Sequence, residues 1–184
     1  MNNEVSLAII ESFRQEFIKI KSLAEDEIYS LRDHNLYSEP FRNDRHYDPY
    51  LKPYSIGIIM QRTIGNLQSR WTDFLTTDGE KPSRNTDSEF VSKRWSNEEL
   101  QEKWQEAWMV LFKAIVEELE MKPENLMKTI YIKKQLFTVH EALLRQVTHH
   151  TFYASQIVVL SKAMKRENYD DLLNLMDRAE EPRD

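Results

Sequence analysis

The stretch TVHEALLRQVTHHTFYASQIVVL, residues 138–160, gives the clearest indication of the fold. It opens on a capping box, in which the Thr138 hydroxyl accepts a hydrogen bond from the Glu141 amide. The Glu141 carboxylate in turn accepts one from the Thr138 amide. Apolar and polar positions then recur at steps of three and four, which predicts one long helix that runs to about residue 165.

A polar row lies on one face of this predicted helix. Its members are spaced by three, four and three residues: Gln146, His149, Tyr153 and Gln156. Ala142 and Leu160 extend the same face and are apolar, so the polar row is bracketed by residues typical of a protein interior. Buried polar side chains need partners. Two interpretations stay open, a hydrogen-bond network that specifies packing and a ligand site in a helical core.

Helical periodicity also marks three earlier stretches. In the first, the apolar side chains advance by three or four residues: Ile10, Phe13, Phe17, Ile20, Ala24, Ile28 and Leu31. That spacing forms one face of a helix and cannot form one face of a strand. A second capping box, Ser96 with Glu99, opens the third stretch. The predicted helices cover residues 3–33, 54–76, 96–121 and 138–165.

Four such helices predict an all-α protein, an antiparallel four-helix bundle that forms a single domain over residues 1–184. Long loops at residues 34–53 and 76–95 connect the helices. A short hairpin is expected near residues 129–139, and a short C-terminal helix after Asn168. The chain has only 3 glycines and 6 prolines, too few turn residues for an all-β fold. It also has no glycine-rich phosphate-binding loop, which excludes Rossmann and P-loop proteins.

Composition excludes several functional classes. The chain has 184 residues, no cysteine and a net charge of −6. Cysteine nucleophiles, disulfides and thiolate metal centres are therefore excluded. An acidic chain is a poor candidate for nucleic-acid binding, which depends on clustered Lys and Arg. No signal peptide and no apolar run long enough for a membrane span is evident, so we expect a cytoplasmic protein without a membrane partner.

A second polar row is predicted on the helix at residues 54–76, with spacings of four, three and four: Arg62, Asn66, Ser69 and Asp73. A guanidinium among uncharged neighbours needs an anion, either a protein carboxylate or a ligand. The alternative is an exposed row whose arginine reaches into water. Spacing alone gives no metal site, because no His-x-x-x-His pair is present and the adjacent His149 and His150 point about 100° apart on a helix.

Two stretches of sequence carry a resemblance to a known group of proteins: SRWTDFLTTDGEKPSRN at residues 69–85, which follows Gly65 and Asn66, and the stretch at residues 138–160. Through them the chain resembles an uncharacterised bacterial branch of the DinB-like (DinB/YfiT) superfamily of metal-dependent four-helix-bundle proteins. The likeness extends over about residues 12–165. It implies a helical bundle, a homodimer and a divalent metal such as nickel or zinc held by three histidines. It also implies metal-dependent thiol transferase or hydrolase activity.

Carried onto this chain, the three ligand positions of the superfamily fall on Arg62, His149 and Tyr153. Only His149 is a usable ligand, since arginine does not deprotonate in proteins and tyrosine, with a pKa of about 10, is mostly a phenol at neutral pH. We therefore predict no metal and no other cofactor, and the alternative is a divalent metal such as nickel or zinc. Our hypothesis is that Arg62 occupies the place of the metal, with its charge met by an anionic ligand or by a carboxylate such as Asp87 or Glu89.

The sequence thus favours a non-catalytic bundle with a degenerate metal site that binds a small molecule or a protein partner. A small anionic ligand and a homodimer are the expected partners. The alternative is an enzyme with an altered active site, in which Arg62 binds an anion and His149 acts as acid or base. Residues expected to line the pocket are Asn66, Gln146 and Gln156, and the catalytic candidates are His149, Arg62 and Tyr153.

Overall fold

The computed structural model describes residues 2–31, 34–40 and 54–165. This part of the chain is mostly helical, with four long α-helices and a small two-stranded sheet. The helices are α1 (Asn3–Ser30), α2 (Ile56–Trp71), α3 (Asn97–Ala114) and α4 (Val139–Lys165), and the strands are β1 (Thr129–Ile132) and β2 (Gln135–Thr138). Short 3-10 segments cover Ser88–Phe90 and Pro123–Met127, and α3 continues as a π-helical segment over Ile115–Glu120.

Both predicted capping boxes are confirmed. The Glu99 amide donates to the Ser96 hydroxyl at 3.1 Å, and the Ser96 amide donates to the Glu99 carboxylate at 2.8 Å. At the start of α4 the Glu141 amide donates to Thr138 Oγ1 at 3.2 Å, and the Thr138 amide donates to the Glu141 carboxylate at 2.7 Å. These contacts satisfy amides that have no partner within the helix.

Helix α2 is shorter than the predicted range of 54–76, which is wrong at its C-terminal end. Thr72 is extended, with ψ of 123°, and Asp73 is left-handed, with φ of 48°. The helix therefore stops at Trp71, and the Asp73 carbonyl accepts from the Thr76 and Thr77 amides in the turn that follows. At the ends of α1 and α4, residues 32–33 and the helix expected after Asn168 lie outside the described residues.

The helices pack in pairs around one apolar core. Helix α1 packs on α4, α2 packs on α3, and α2 also contacts α4. Trp104 and Trp108 contact each other edge to face at 5.7 Å between ring centroids and are 3% and 1% exposed, as expected of core residues. Burial of each large apolar side chain stabilises the fold by about 1.5–3 kcal/mol.

The short hairpin predicted near residues 129–139 is present, and Asp78 anchors it. Its two turn residues, Lys133 and Lys134, are both left-handed, with φ of 52° and 63°. The Asp78 carboxylate accepts from the Lys133 amide at 2.8 Å and from the Lys134 amide at 2.7 Å. The same carboxylate accepts from the Glu80 amide at 2.8 Å. The loop after α2 is thereby fixed to the hairpin.

Within the described ranges, none of the helices combines the length and the apolar character that a membrane-spanning segment requires.

Candidate functional site

A cleft of about 800 Å³ lies beside α2 and α4 and is closed on its other sides by the 80–90 loop and the hairpin. Five of its lining side chains are cationic and one is a carboxylate. The cationic residues are Arg62, Arg70, Arg84, Lys133 and Arg145, and the carboxylate belongs to Glu80. This excess of positive charge stands in contrast to the net charge of −6 of the whole chain. We refer to it as the α2–α4 cleft.

Two rows of side chains face each other across this cleft, each with a spacing of four residues. The α2 row consists of Arg62, Asn66 and Arg70, and the α4 row consists of Arg145, His149 and Tyr153. Successive members of a row lie about 6 Å apart along the helix axis. The Arg62 guanidinium donates to the Tyr153 hydroxyl from Nε at 3.0 Å and from Nη2 at 2.8 Å. That contact fixes how the two rows face each other.

Three levels result from this arrangement, because the two helices run in opposite directions at the contact. Arg62 faces Tyr153, Asn66 and His149 share the next level, and Arg70 shares the last with Arg145. At that last level the pKa of Arg70 is lowered, first by burial and then, among other charges, by the positive charge of Arg145.

Arg62 is held by aromatic neighbours. Its guanidinium lies over the Phe90 ring, 3.8 Å from the ring centroid, and it contacts Tyr153 as described. Its Nη1 atom is buried and has no hydrogen-bond partner. Glu89, one of the carboxylates considered for Arg62, is bonded through both oxygens to Arg84, at 2.8 and 2.9 Å. Within the described ranges, no carboxylate forms an ion pair with Arg62.

The cationic level of the cleft combines Arg70, Arg84 and Arg145. Glu80 lies 3.3 Å from Arg84 and 3.9 Å from Arg70, so it is shared between two guanidiniums. Arg70 is 8% exposed, and its Nε atom has no hydrogen-bond partner in the part of the chain that the structure describes. The Arg145 guanidinium lies over the Phe137 ring, 4.9 Å from the centroid. Arginine stays protonated under these conditions, so the level carries more positive charge than its carboxylates neutralise.

His149 is half-buried on the wall of the cleft. Burial first, and then the positive charges of the cleft arginines, lower its pKa to about 4. The imidazole is therefore neutral at pH 7, with one nitrogen that donates and one that accepts. Its ring packs edge to face on Tyr153, 4.5 Å between centroids.

Asn66 and Gln146 supply uncharged polar groups to the same wall. Asn66 is 5% exposed, and its Oδ1 atom has no hydrogen-bond partner within residues 2–31, 34–40 and 54–165. Gln146 is 5% exposed, and its Oε1 atom lies 2.9 Å from Nε2 of His150. Burial drives the pKa of His150 well below its ordinary value, so His150 is a neutral core residue.

Four residues of the predicted polar rows lie outside the cleft lining. Tyr153 is buried at the end of the cleft against Arg62. Gln156 is half-buried on α4, beyond Tyr153, and its Oε1 atom has no partner among the described residues. The Ser69 hydroxyl accepts from the Lys81 amide at 2.8 Å and donates to the Gly79 carbonyl at 3.2 Å, so Ser69 supports the loop. Asp73 is exposed and lies beyond the end of α2.

Sequence reasoning missed the arginines of the cationic level and the role of His150. Arg70 lies four residues after Asn66, and Arg145 lies four residues before His149, so extension of each polar row by one turn would have found them. Arg84 and Glu80 gave no signal, because they reach the cleft from a loop. No cluster of three or more metal-binding side chains occurs in residues 2–31, 34–40 and 54–165.

A family model described as "Protein of unknown function (DUF1572)" matches residues 4–175 of the chain. The matched range contains every residue of the α2–α4 cleft. No curated protein and no solved structure matches the chain.

Proposed function

We propose that this chain, which belongs to the DUF1572 family of proteins of unknown function, binds a small anionic molecule in the α2–α4 cleft without catalysis. The observation that carries the proposal is the charge of the cleft. Five cationic side chains and one carboxylate line it. Like charges repel each other more strongly in a partly buried site than in water, because the local dielectric is lower. A bound anion removes that repulsion.

The arginines are also well placed for anion recognition. Arg62 and Arg145 rest on the rings of Phe90 and Phe137, which restricts the orientation of each guanidinium. A guanidinium with a fixed orientation loses less conformational entropy on binding, and its planar N–H groups match carboxylate and phosphate oxygens. Arg70 adds a buried Nε donor that has no partner among the described residues.

We extend the proposal to ancestry, namely that the chain is a degenerate relative of the DinB-like superfamily with an antiparallel four-helix bundle as its single domain. The convergence of Arg62, His149 and Tyr153 supports it, since these residues stand at the three ligand positions that the resemblance implies. They come from two helices, and Tyr153 contacts both of the others: it accepts a hydrogen bond from Arg62 and packs against the His149 ring. The homodimer and the cytoplasmic location that we expect from the sequence stay predictions.

The side chains at these positions do not fit a divalent metal. Arg62 adds a fixed positive charge and binds the Tyr153 hydroxyl through two N–H groups, which leaves His149 as the one ready ligand of the three. A single neutral imidazole is too few ligands for a closed site. We therefore assign no role to a metal in this cleft.

Calorimetric titration of the full chain with phosphate, citrate and acetate tests the proposal. We expect at least one of these anions to bind, and Arg70→Gln to weaken that binding by about tenfold or more. The matched control is Lys113→Gln, which removes one positive charge from an exposed site on α3 and should change affinity less than about twofold. Binding of none of the three anions, or equal effects of the two variants, contradicts the proposal.

The second candidate function is an enzyme with an altered active site. The observation that favours it is His149, whose neutral imidazole lines the cleft and can accept a proton from a bound substrate. Once a ligand is identified, its conversion over time in the presence of the protein distinguishes the two candidates. Turnover that His149→Gln abolishes while the ligand still binds favours the enzyme, and an unchanged ligand favours the binding protein.

A further inference from the structure

We infer that the anion bound in the α2–α4 cleft is a phosphate monoester that carries a hydroxyl group close to its phosphate. The inference rests on the proposed anion-binding function and names the class of ligand. It depends on the levels described above, in which a cationic level and an uncharged polar level are neighbours along both helices.

The cationic level is suited to a dianion. Arg70, Arg84 and Arg145 bring three positive charges, and Lys133 at the rim of the same cleft adds a fourth. The Glu80 and Glu89 carboxylates pair with these guanidiniums, and the Asp78 carboxylate also acts on Arg70. With Arg62, the cleft therefore sets five positive charges against three carboxylates, a surplus of two. A carboxylate group supplies one negative charge, whereas a phosphate monoester supplies about 1.5–2 at pH 7, together with three acceptor oxygens.

The buried donor of Arg70 points to the same class. Its Nε atom lacks a partner in the described ranges, although the side chain is about nine-tenths buried and lines the cleft. An unpaired buried donor costs about 1–3 kcal/mol. A tetrahedral phosphate can accept from several guanidiniums at once, because its oxygens point in different directions.

The uncharged level requires a donor on the ligand. Among the described residues, nothing donates to the buried acceptor Asn66 Oδ1, and the amide lies on the cleft wall. A phosphate dianion has only acceptors, so a separate group of the ligand must donate to Oδ1. A hydroxyl meets this need, and its oxygen can also interact with the His149 imidazole at the same level.

The distance between the two levels limits where that hydroxyl stands. Arg70 and Asn66 are four residues apart on one helix, which corresponds to about 6 Å along the axis. A hydroxyl on the second or third carbon from the ester oxygen spans this distance. Glycerol 3-phosphate has such hydroxyls and serves as the probe, and n-propyl phosphate is its matched counterpart without them.

The test is calorimetric titration of the full chain with four probes, glycerol 3-phosphate, n-propyl phosphate, inorganic phosphate and glycerate. We expect glycerol 3-phosphate to bind about fivefold more tightly than n-propyl phosphate, the effect of one hydrogen bond. It should bind about tenfold or more tightly than glycerate, which has hydroxyls but only a carboxylate. Inorganic phosphate should bind more weakly than the hydroxylated ester.

Two variants test whether these affinity ratios between probes arise from Asn66 at the uncharged level and from the arginines at the cationic level. Asn66→Ala should bring the affinities for glycerol 3-phosphate and n-propyl phosphate within about twofold of each other. Each ratio is measured within one protein, so partial loss of folded protein does not alter it, and Asn66→Ser provides a second variant at the same position. Arg145→Gln, at an exposed position, should reduce affinity for glycerol 3-phosphate more than affinity for glycerate.

The outcomes separate this inference from the proposal beneath it. If glycerol 3-phosphate and n-propyl phosphate bind equally well, the inferred hydroxyl group of the ligand is wrong. If glycerate binds as tightly as glycerol 3-phosphate, the inferred phosphate group is wrong. If inorganic phosphate binds as tightly as glycerol 3-phosphate, the inference that the ligand is an ester is wrong. In each case the anion-binding function stands. If none of the phosphate or carboxylate probes binds, both proposals are wrong.

Discussion

The Arg62 guanidinium of α2 donates two hydrogen bonds to the Tyr153 hydroxyl of α4, at 3.0 and 2.8 Å. The contact joins the two helices at one end of the cleft, between the Phe90 ring on one side and the half-buried His149 on the other. Under the proposed relationship to DinB-like proteins, this guanidinium takes the place of a metal ion. The same contact sets the level at which the remaining polar residues face each other.

Restoration of histidines tests this interpretation directly. The double variant Arg62→His/Tyr153→His should place three imidazoles, with that of His149, around one point. It should bind nickel or zinc at one ion per chain, because the fixed positive charge is gone and neutral imidazole is a good ligand for both metals. Metal content after dialysis measures the result, and each single variant serves as a control with only two imidazoles.

Tight binding of nickel or zinc by the unaltered chain through His149 would contradict the degenerate site. Failure of the double variant to retain metal, with its helical content intact, would contradict the assignment of the three positions.

The loop that carries Glu89 constrains Gly65 on α2. A Cβ atom at Gly65 would overlap Oε1 of Glu89, which is 4% exposed and bonded to Arg84. Gly65→Ala must therefore displace a buried carboxylate from its guanidinium partner, and we expect a loss of about 1–3 kcal/mol in the free energy of unfolding. Urea denaturation measures it.

The control for this prediction is the double variant with Glu89→Ala, which removes the overlapping carboxylate. Its loss of stability should be smaller than the sum of the two single losses, since Gly65→Ala then meets free space. Additive losses would show that the two residues do not interact in this way.

Asp78 is expected to make the stability of the hairpin dependent on pH. The desolvation of its carboxylate raises the pKa, but hydrogen bonds from the Glu80, Lys134 and Lys133 amides outweigh that effect, so the pKa of Asp78 is lowered overall. A carboxyl with a lowered pKa stabilises the folded state above its unfolded pKa. That contribution is lost as the pH falls through the folded value.

Asp78→Asn should therefore lower the free energy of unfolding by about 1 kcal/mol at pH 7, and this effect should shrink as the pH falls through the lowered pKa of the folded carboxyl. Hydrogen exchange of the Lys133 and Lys134 amides reports the local effect. Equal protection of these amides in both proteins at pH 7 would contradict the anchoring role of Asp78.

Much of the fold and part of the site could be predicted from the sequence, for identifiable physical reasons. Helix periodicity and capping depend on residues close together in the chain, so the Ser96 and Thr138 capping boxes were predictable. The hydrogen bonds between Arg62 and Tyr153 were not predicted, because the sequence suggested a carboxylate or an anionic ligand as the partner of Arg62. Arg84 was not predictable, because its place in the cleft depends on how the 80–90 loop folds over Gly65.

Backbone geometry explains the remaining differences. The end of α2 depends on the left-handed conformation of Asp73, which no neighbouring residue type requires. The π-helical segment over Ile115–Glu120 likewise leaves no mark in the apolar spacing. The burial of charged side chains was harder still to predict. An arginine such as Arg70 is expected to be exposed, and it is buried because the loop after α2 and the hairpin cover it.

His149 provides the last prediction, because its pKa connects the cleft charges to stability. Burial first, and then the charges of Arg62, Arg70, Arg84 and Arg145, lower the pKa to about 4. The unfolded chain therefore binds a proton near pH 6.5, where the folded protein does not. Stability is expected to fall as the pH drops from about 6.5 to about 4. His149→Gln should reduce this slope, with His150→Gln as a separate comparison for the deeply buried imidazole.

Nuclear magnetic resonance titration of the His149 ring measures the pKa itself, and Arg145→Gln should raise it while Lys113→Gln leaves it unchanged. A His149 that titrates near 6.5 in the folded protein would contradict both its burial and the positive charge assigned to the cleft.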